Sequence, residues 1–147
     1  MSTKFTYIIP ARMESTRFPN KPLKTLVNKT VLDWVYDNCM NSKFCDEAII
    51  ATDSEIIAEH CENNNKKYMI TGQHNCATNR VAEVAKKLDS DWVVEVQGDE
   101  PLLWAKIMDN WLEHCLVKLD KIKPDLFLSI ALLDKKNSDN PNFVKIV

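Results

Sequence analysis

Short apolar runs alternate along this chain with stretches of helical spacing. FTYII (5–9) is a compact run whose length and β-branched content predict a buried strand. VLDWVYDNCM (31–40) instead sets Val31, Val35 and Cys39 in one stripe, with Leu32, Tyr36 and Met40 beside it, which predicts a helix. EAIIA (47–51) reads as a strand. The residues after it carry Thr52 and Glu55 in the spacing of a capping box, so a helix is expected from there. KYMI (67–70) and WVVEV (92–96) read as strands, and RVAEVAKKL (80–88) between them places Val81, Val84, Ala85 and Leu88 on one helical face. Beyond Pro101 a helix is expected with Met108, Trp111, Leu112, Cys115, Leu116 and Leu119 along one side, followed by LFLSIAL (126–132) as a fifth strand.

This order, β-α-β-α-β-α-β-α-β with short connections, predicts an α/β fold. A mostly parallel central sheet would carry helices on both faces, joined by right-handed crossovers. Residues 1–147 read as a single domain. The ending, FVKIV (143–147), reads as one more apolar strand without a closing element. The expectation is a chain that stops in mid-sheet, the N-terminal part of a longer protein; a short edge strand is the alternative.

Composition narrows the function classes. An apolar fraction of 45% and a charged fraction of 27% are ordinary for a globular protein. A net charge of −2 provides no global basic field for nucleic acid or an anionic membrane, so anion binding has to be local. The longest strongly apolar stretch, LFLSIALL (126–133), is too short to span a bilayer, and the first residues lack the apolar run of a signal peptide. Five cysteines, odd in number and without a Cys-x-x-Cys pair, point to reduced thiols rather than a disulfide frame or zinc site, and so to the cytoplasm. The three scattered histidines (60, 74, 114) read as surface or core residues.

In an open parallel sheet, ligands occupy the crevice beyond the carboxyl ends of the strands. Four polar loops are expected at that edge: PARMESTRFPNK, ATDSE, TGQHNCATNR and QGDEP. The two glycines, Gly72 and Gly98, cannot write G-x-G-x-x-G or a Walker loop, so a phosphate site must rely on cations. Arg12, Arg17 and Lys21 supply three in the first loop, a set that suits a polyphosphate better than a single carboxylate. Asp99, following the fourth strand, is the metal candidate, because a carboxylate facing phosphates is favourable when Mg²⁺ lies between them. Glu100 could support it, or could stand at a helix start. Other readings remain at this point: the basic loop as a solvated surface, Asp99 as a helix N-cap, and Asp53 as the cap of its own helix.

IIPARMESTRFPNKPL, IIATDSEIIAE, HNCATNRVAEV and VEVQGDEPLL, in that order and spacing, resemble the bacterial 3-deoxy-D-manno-octulosonate (Kdo) cytidylyltransferases. SDNPNFVKIV looks like that family's Asp-Pro-Asn-x-Val-Lys segment, so the resemblance runs through essentially the whole chain. Sialic-type cytidylyltransferases have a first loop that is usually glycine-rich and lacks Thr-Arg-Phe-Pro.

The resemblance implies a nucleotide-diphospho-sugar-transferase-like, Rossmann-like fold and an enzyme of lipopolysaccharide biosynthesis. Its reaction would be CTP + Kdo → CMP-Kdo + pyrophosphate, with Mg²⁺ as cofactor and a homodimer as the full-length form. It implies that Arg12 and Lys21 grip the triphosphate, that Ala11, Ser15 and Arg17 belong to the loop around the nucleotide, and that Arg80 lies near the nucleotide. Asp99 would bind the metal and Gln97 would contact the sugar acid. The alternatives are a cytidylyltransferase for another sugar acid (amino-Kdo or sialic-type), or a non-catalytic nucleotide-binding module. Three departures from the family pattern stand out. Cys76-Ala77-Thr78-Asn79-Arg80 replaces Ser-Gly-Thr-Asp-Arg, Glu14 replaces a small residue, and Asn20 stands where glycine is usual, at a turn that asparagine can serve at positive φ.

Overall fold

A computed structural model of the protein describes residues 3–14, 18–122 and 124–127. Contacts divide the chain into two units, Met1–Leu112 and Glu113–Val147. The first holds the sheet and everything discussed below.

Its elements are β1 (Phe5–Pro10), β2 (Thr25–Leu26), β3 (Lys29–Thr30), α1 (Val31–Met40), β4 (Glu47–Thr52), α2 (Glu55–Asn63), β5 (Tyr68–Ile70), α3 (Ala77–Ala85) and β6 (Trp92–Glu95), with α4 (Ala105–Ile122) running on into the second unit. β5-β4-β1-β6 form a four-stranded parallel sheet, and β2 and β3 pair as a small antiparallel hairpin. The chain thus builds outward from β1 through β4 to β5, then returns through α3 to place β6 on the other side of β1.

β1 is buried along its whole length, as a central strand covered on both faces must be. Its side chains alternate. Ile8 packs with Ile49, Ala51 and the α3 residues Val81 and Val84. On the opposite face Phe5 meets Phe44 edge-on at 6.0 Å. Also on that face the Tyr7 hydroxyl lies 2.7 Å from that of Ser42, which donates to Asp109 of α4. Ile8, Ile9, Ile49 and Ile50 are all fully buried, each contributing roughly 1.5–3 kcal/mol.

The helix boundaries correct three expectations. The box expected at Thr52 and Glu55 is absent. Thr52 is buried at the end of β4, and Ser54 is the N-cap of α2, accepting from Ile57 N–H. A reciprocal box does occur at α1, where Thr30 accepts from Asp33 N–H and Asp33 accepts from Thr30 N–H. Pro101 does not begin a helix: residues 97–103 form turns and α4 starts at Ala105, so neither Asp99 nor Glu100 is a helix-start residue. α3 begins at Ala77, one turn earlier than its apolar stripe indicated. α2 ends in a Schellman motif, with Asn65 at φ 52° and Lys66 N–H bonded to Cys61 C=O at 2.8 Å. The expected fifth strand falls mostly, and the final FVKIV wholly, outside the described residues. Among the described residues no helix is long and apolar enough to cross a membrane.

Candidate functional site

β1 and β6 are neighbours, yet the chain leaves β1 toward β4 and arrives at β6 from the far side. Such a switch opens a crevice at the strands' carboxyl ends. Here a cleft of about 220 Å³ lies there, walled by the loop after β1, the loop before α3 and the loop after β6.

Six of the eight residues singled out from sequence line this one cleft: Ala11, Arg12, Lys21, Arg80, Gln97 and Asp99. Ser15 and Arg17 lie outside the described residues. Backbone chemistry brings the walls together. Asn20 adopts the left-handed conformation (φ 58°) that starts the short 3-10 turn Lys21–Leu23 and aims the chain back at the cleft. Gly98 passes so close to β1 that a Cβ there would sit 2.7 Å from the Pro10 carbonyl oxygen, so only glycine fits. The Gln97–Glu100 turn closes on itself through Glu100 N–H and Gln97 C=O at 3.2 Å. Asn38 of α1 anchors the same region by donating to Pro101 C=O at 3.0 Å.

Lys21 Nζ donates to Asp99 Oδ2 at 2.7 Å, joining the first loop to the last. The two side chains are 36% and 48% exposed, so the pair stabilises by roughly 0–1 kcal/mol and a charged ligand can part it. Arg12, also on the wall, is exposed. Arg80 differs from both: it is 3% exposed, and its guanidinium donates to Asp53 at 2.7 Å and to Thr71. Asp53 is therefore not the cap of α2 but the counter-ion of a buried arginine, and the pair clamps the ends of β4 and β5 to α3. Gln97 is oriented by Glu95, which accepts from its amide at 2.7 Å.

Sequence reasoning missed His74. It lines the cleft, and its Nε2 lies 2.7 Å from Glu83 Oε2. The available signal was its place in the polar loop after β5, one of the four loops expected at the ligand edge. His60, by contrast, belongs to a network on α1 and α2, 3.0 Å from Asp33 Oδ1, with Lys66 bridging Asp33 and Asp37. Cys76 stands exposed in the cleft wall as the N-cap of α3 but makes no capping bond with its side chain.

A parallel sheet of this order with a polar cleft at its switch point defines the doubly wound α/β class. Within it, residues 6–125 match the family model described as cytidylyltransferase, and the chain belongs to that family. The chain is 38% identical over 95% of its length to the 3-deoxy-manno-octulosonate cytidylyltransferase of Thermodesulfovibrio yellowstonii. It is 36% identical over its whole length to the one from Pseudomonas fluorescens. It spans 57% and 58% of those two proteins. A solved CMP:2-keto-3-deoxy-manno-octonic acid synthetase complexed with CTP superposes with a TM-score of 0.75 at 29% identity, covering 81% of this chain and 48% of that one. A cytidylyltransferase from Leptospira borgpetersenii gives 0.69 at 28% identity, over 79% and 50%. Mostly parallel sheet and family thus agree with the sequence reading.

Proposed function

We propose that the protein is the CTP-binding part of a Kdo cytidylyltransferase, which transfers CMP from CTP to 3-deoxy-D-manno-octulosonate and releases pyrophosphate. The observation that carries the proposal is the meeting of Arg12, Lys21, Gln97 and Asp99 in one cleft at the β1/β6 switch. The 3-deoxy-manno-octulosonate cytidylyltransferases it resembles, and the CTP carried by the structural neighbour, support the choice of substrates.

In this reading the exposed Arg12 and the loosely paired Lys21 take the triphosphate. Arg12 does so through a planar fork and Lys21 as a point charge released from Asp99. Buried Arg80 keeps the α3 wall in place through its pairing with Asp53 and meets the nucleotide only along the cleft surface. Gln97, its amide nitrogen held by Glu95, presents its carbonyl oxygen to a donor on the sugar acid. The anomeric hydroxyl oxygen bonds to the α-phosphorus as the bond to the bridging oxygen breaks; pyrophosphate leaves with that oxygen, and the hydroxyl proton passes to water. Positioning and neutralised charge do most of the work in such a transfer.

Asp99 would hold Mg²⁺ once Lys21 moves to the phosphates. Among the described residues no group of three or more His, Cys, Asp or Glu could hold a metal ion. This fits a dication bound by one carboxylate, phosphate oxygens and water rather than by a protein cage. Mg²⁺ supplies charge neutralisation at the phosphates when bound. The full-length protein is read as a homodimer acting in the cytoplasm on Kdo destined for lipopolysaccharide.

Mixing the intact protein with Mg²⁺, CTP and Kdo and following pyrophosphate tests the proposal. Release that needs both substrates is expected. Binding of CTP without release, for Kdo and other sugar acids alike, would contradict it.

A further inference from the structure

Glu83 is surrounded by donors. Its Oε2 lies 3.0 Å from Gly72 N and 2.7 Å from His74 Nε2, and its Oε1 lies 3.1 Å from Lys87 Nζ. The hydrogen bond from His74, then those from Gly72 and Lys87, hold this carboxyl down to about 2. An ionised carboxylate has only lone pairs to offer, so the proton shared with His74 sits on Nε2. In the neutral ring Nδ1 is then an acceptor. It has no hydrogen-bond partner among the described residues, and His74 lines the cleft.

From this geometry we infer that His74 is a positioning residue for the nucleoside end of the ligand, its Nδ1 accepting a hydrogen bond from the base amino group or a ribose hydroxyl. The inference rests on the CTP reading and deepens it. Chemistry limits the partner. The triphosphate carries no donor at neutral pH, and Arg12 and Lys21, which would hold it, are themselves donors only. An acceptor on the same wall therefore suits the part of the nucleotide that bears N–H and O–H groups. The uncharged Cys76 and Ala77 line the same cleft.

Two substitutions separate this role from simple loop support. His74→Gln can still donate to Glu83 from its amide nitrogen, as Nε2 does, but places no acceptor at Nδ1. His74→Asn places an acceptor near Nδ1 but is too short to reach Glu83. Calorimetry on the intact protein with Mg-CTP and with Mg-tripolyphosphate reads the effect. His74→Gln should weaken CTP about tenfold and leave tripolyphosphate unchanged. His74→Asn should retain more CTP affinity than His74→Gln. The donor is then identified by repeating the titration with UTP and 2′-deoxy-CTP: the analogue lacking it binds the unaltered protein weakly and is insensitive to His74→Gln. Normal CTP binding by His74→Gln, or equal losses for CTP and tripolyphosphate, would overturn the inference while leaving the nucleotide reading intact. Failure of the unaltered protein to bind CTP would overturn both.

Discussion

Lys21 and Asp99, 78 residues apart in sequence, form an ion pair of 2.7 Å across the mouth of the cleft. Each is the other's charge partner, so on the proposed reading a magnesium nucleotide would part them and satisfy both. Lys21→Ala should therefore weaken CTP by about 1.5–3 kcal/mol and CMP by much less, because CMP lacks the outer phosphates. Equal losses for CTP and CMP in calorimetry would contradict a triphosphate role for Lys21.

The pairing of buried Arg80 with the more exposed Asp53 predicts a stability effect. Arg80 is 3% exposed, and removing its counter-ion leaves a buried positive charge. Asp53→Ala should lower the free energy of unfolding by about 1–3 kcal/mol, read by denaturant titration. An unchanged midpoint would show that the guanidinium's other acceptors, Thr71 Oγ1 and the Gly72 carbonyl at 3.4 Å, suffice for it.

Much of the architecture was legible in the sequence, and the exceptions have physical causes. The expected and observed limits of α1 coincide because its apolar stripe starts one residue after the capping Thr30. α3 begins before its apolar stripe because its first turn, Ala77-Thr78-Asn79, carries none, and its N-cap is a cysteine rather than a capping residue. The β2–β3 hairpin was not anticipated. Its two strands are two residues each, and its turn puts Val27 at φ 63° where the usual signal is glycine or asparagine. At the site, charge and topology placed Arg12, Lys21 and Asp99 together, since each follows a strand at the same edge. They could not show that Arg80 faces inward to Asp53, because burial of an arginine depends on packing that spacing does not encode. Nor could they single out His74, whose environment is made by Glu83 on the helix that follows.

Acid should destabilise the protein in a defined window. Glu83 is depressed to about 2. Burial alone would raise Asp33, but hydrogen bonds from His60 and Thr30, with the charges of His60 and Lys66, outweigh it and hold it below the usual carboxylate range. A carboxyl lowered by folding contributes stability that is complete above its unfolded value and lost as pH falls through its folded one. Melting temperature should thus fall between about pH 4.5 and pH 2, and Glu83→Gln should flatten part of that slope. An identical acid limb in the variant would show that the Glu83 contacts contribute nothing.

The most direct test of the account is calorimetric titration of CTP into the unaltered protein and Asp99→Asn, each with and without Mg²⁺. The account predicts that Mg²⁺ strengthens CTP binding to the unaltered protein and that Asp99→Asn removes most of this gain while sparing the metal-free component. Binding that ignores Mg²⁺, or an Asp99→Asn variant with the full gain, would contradict it.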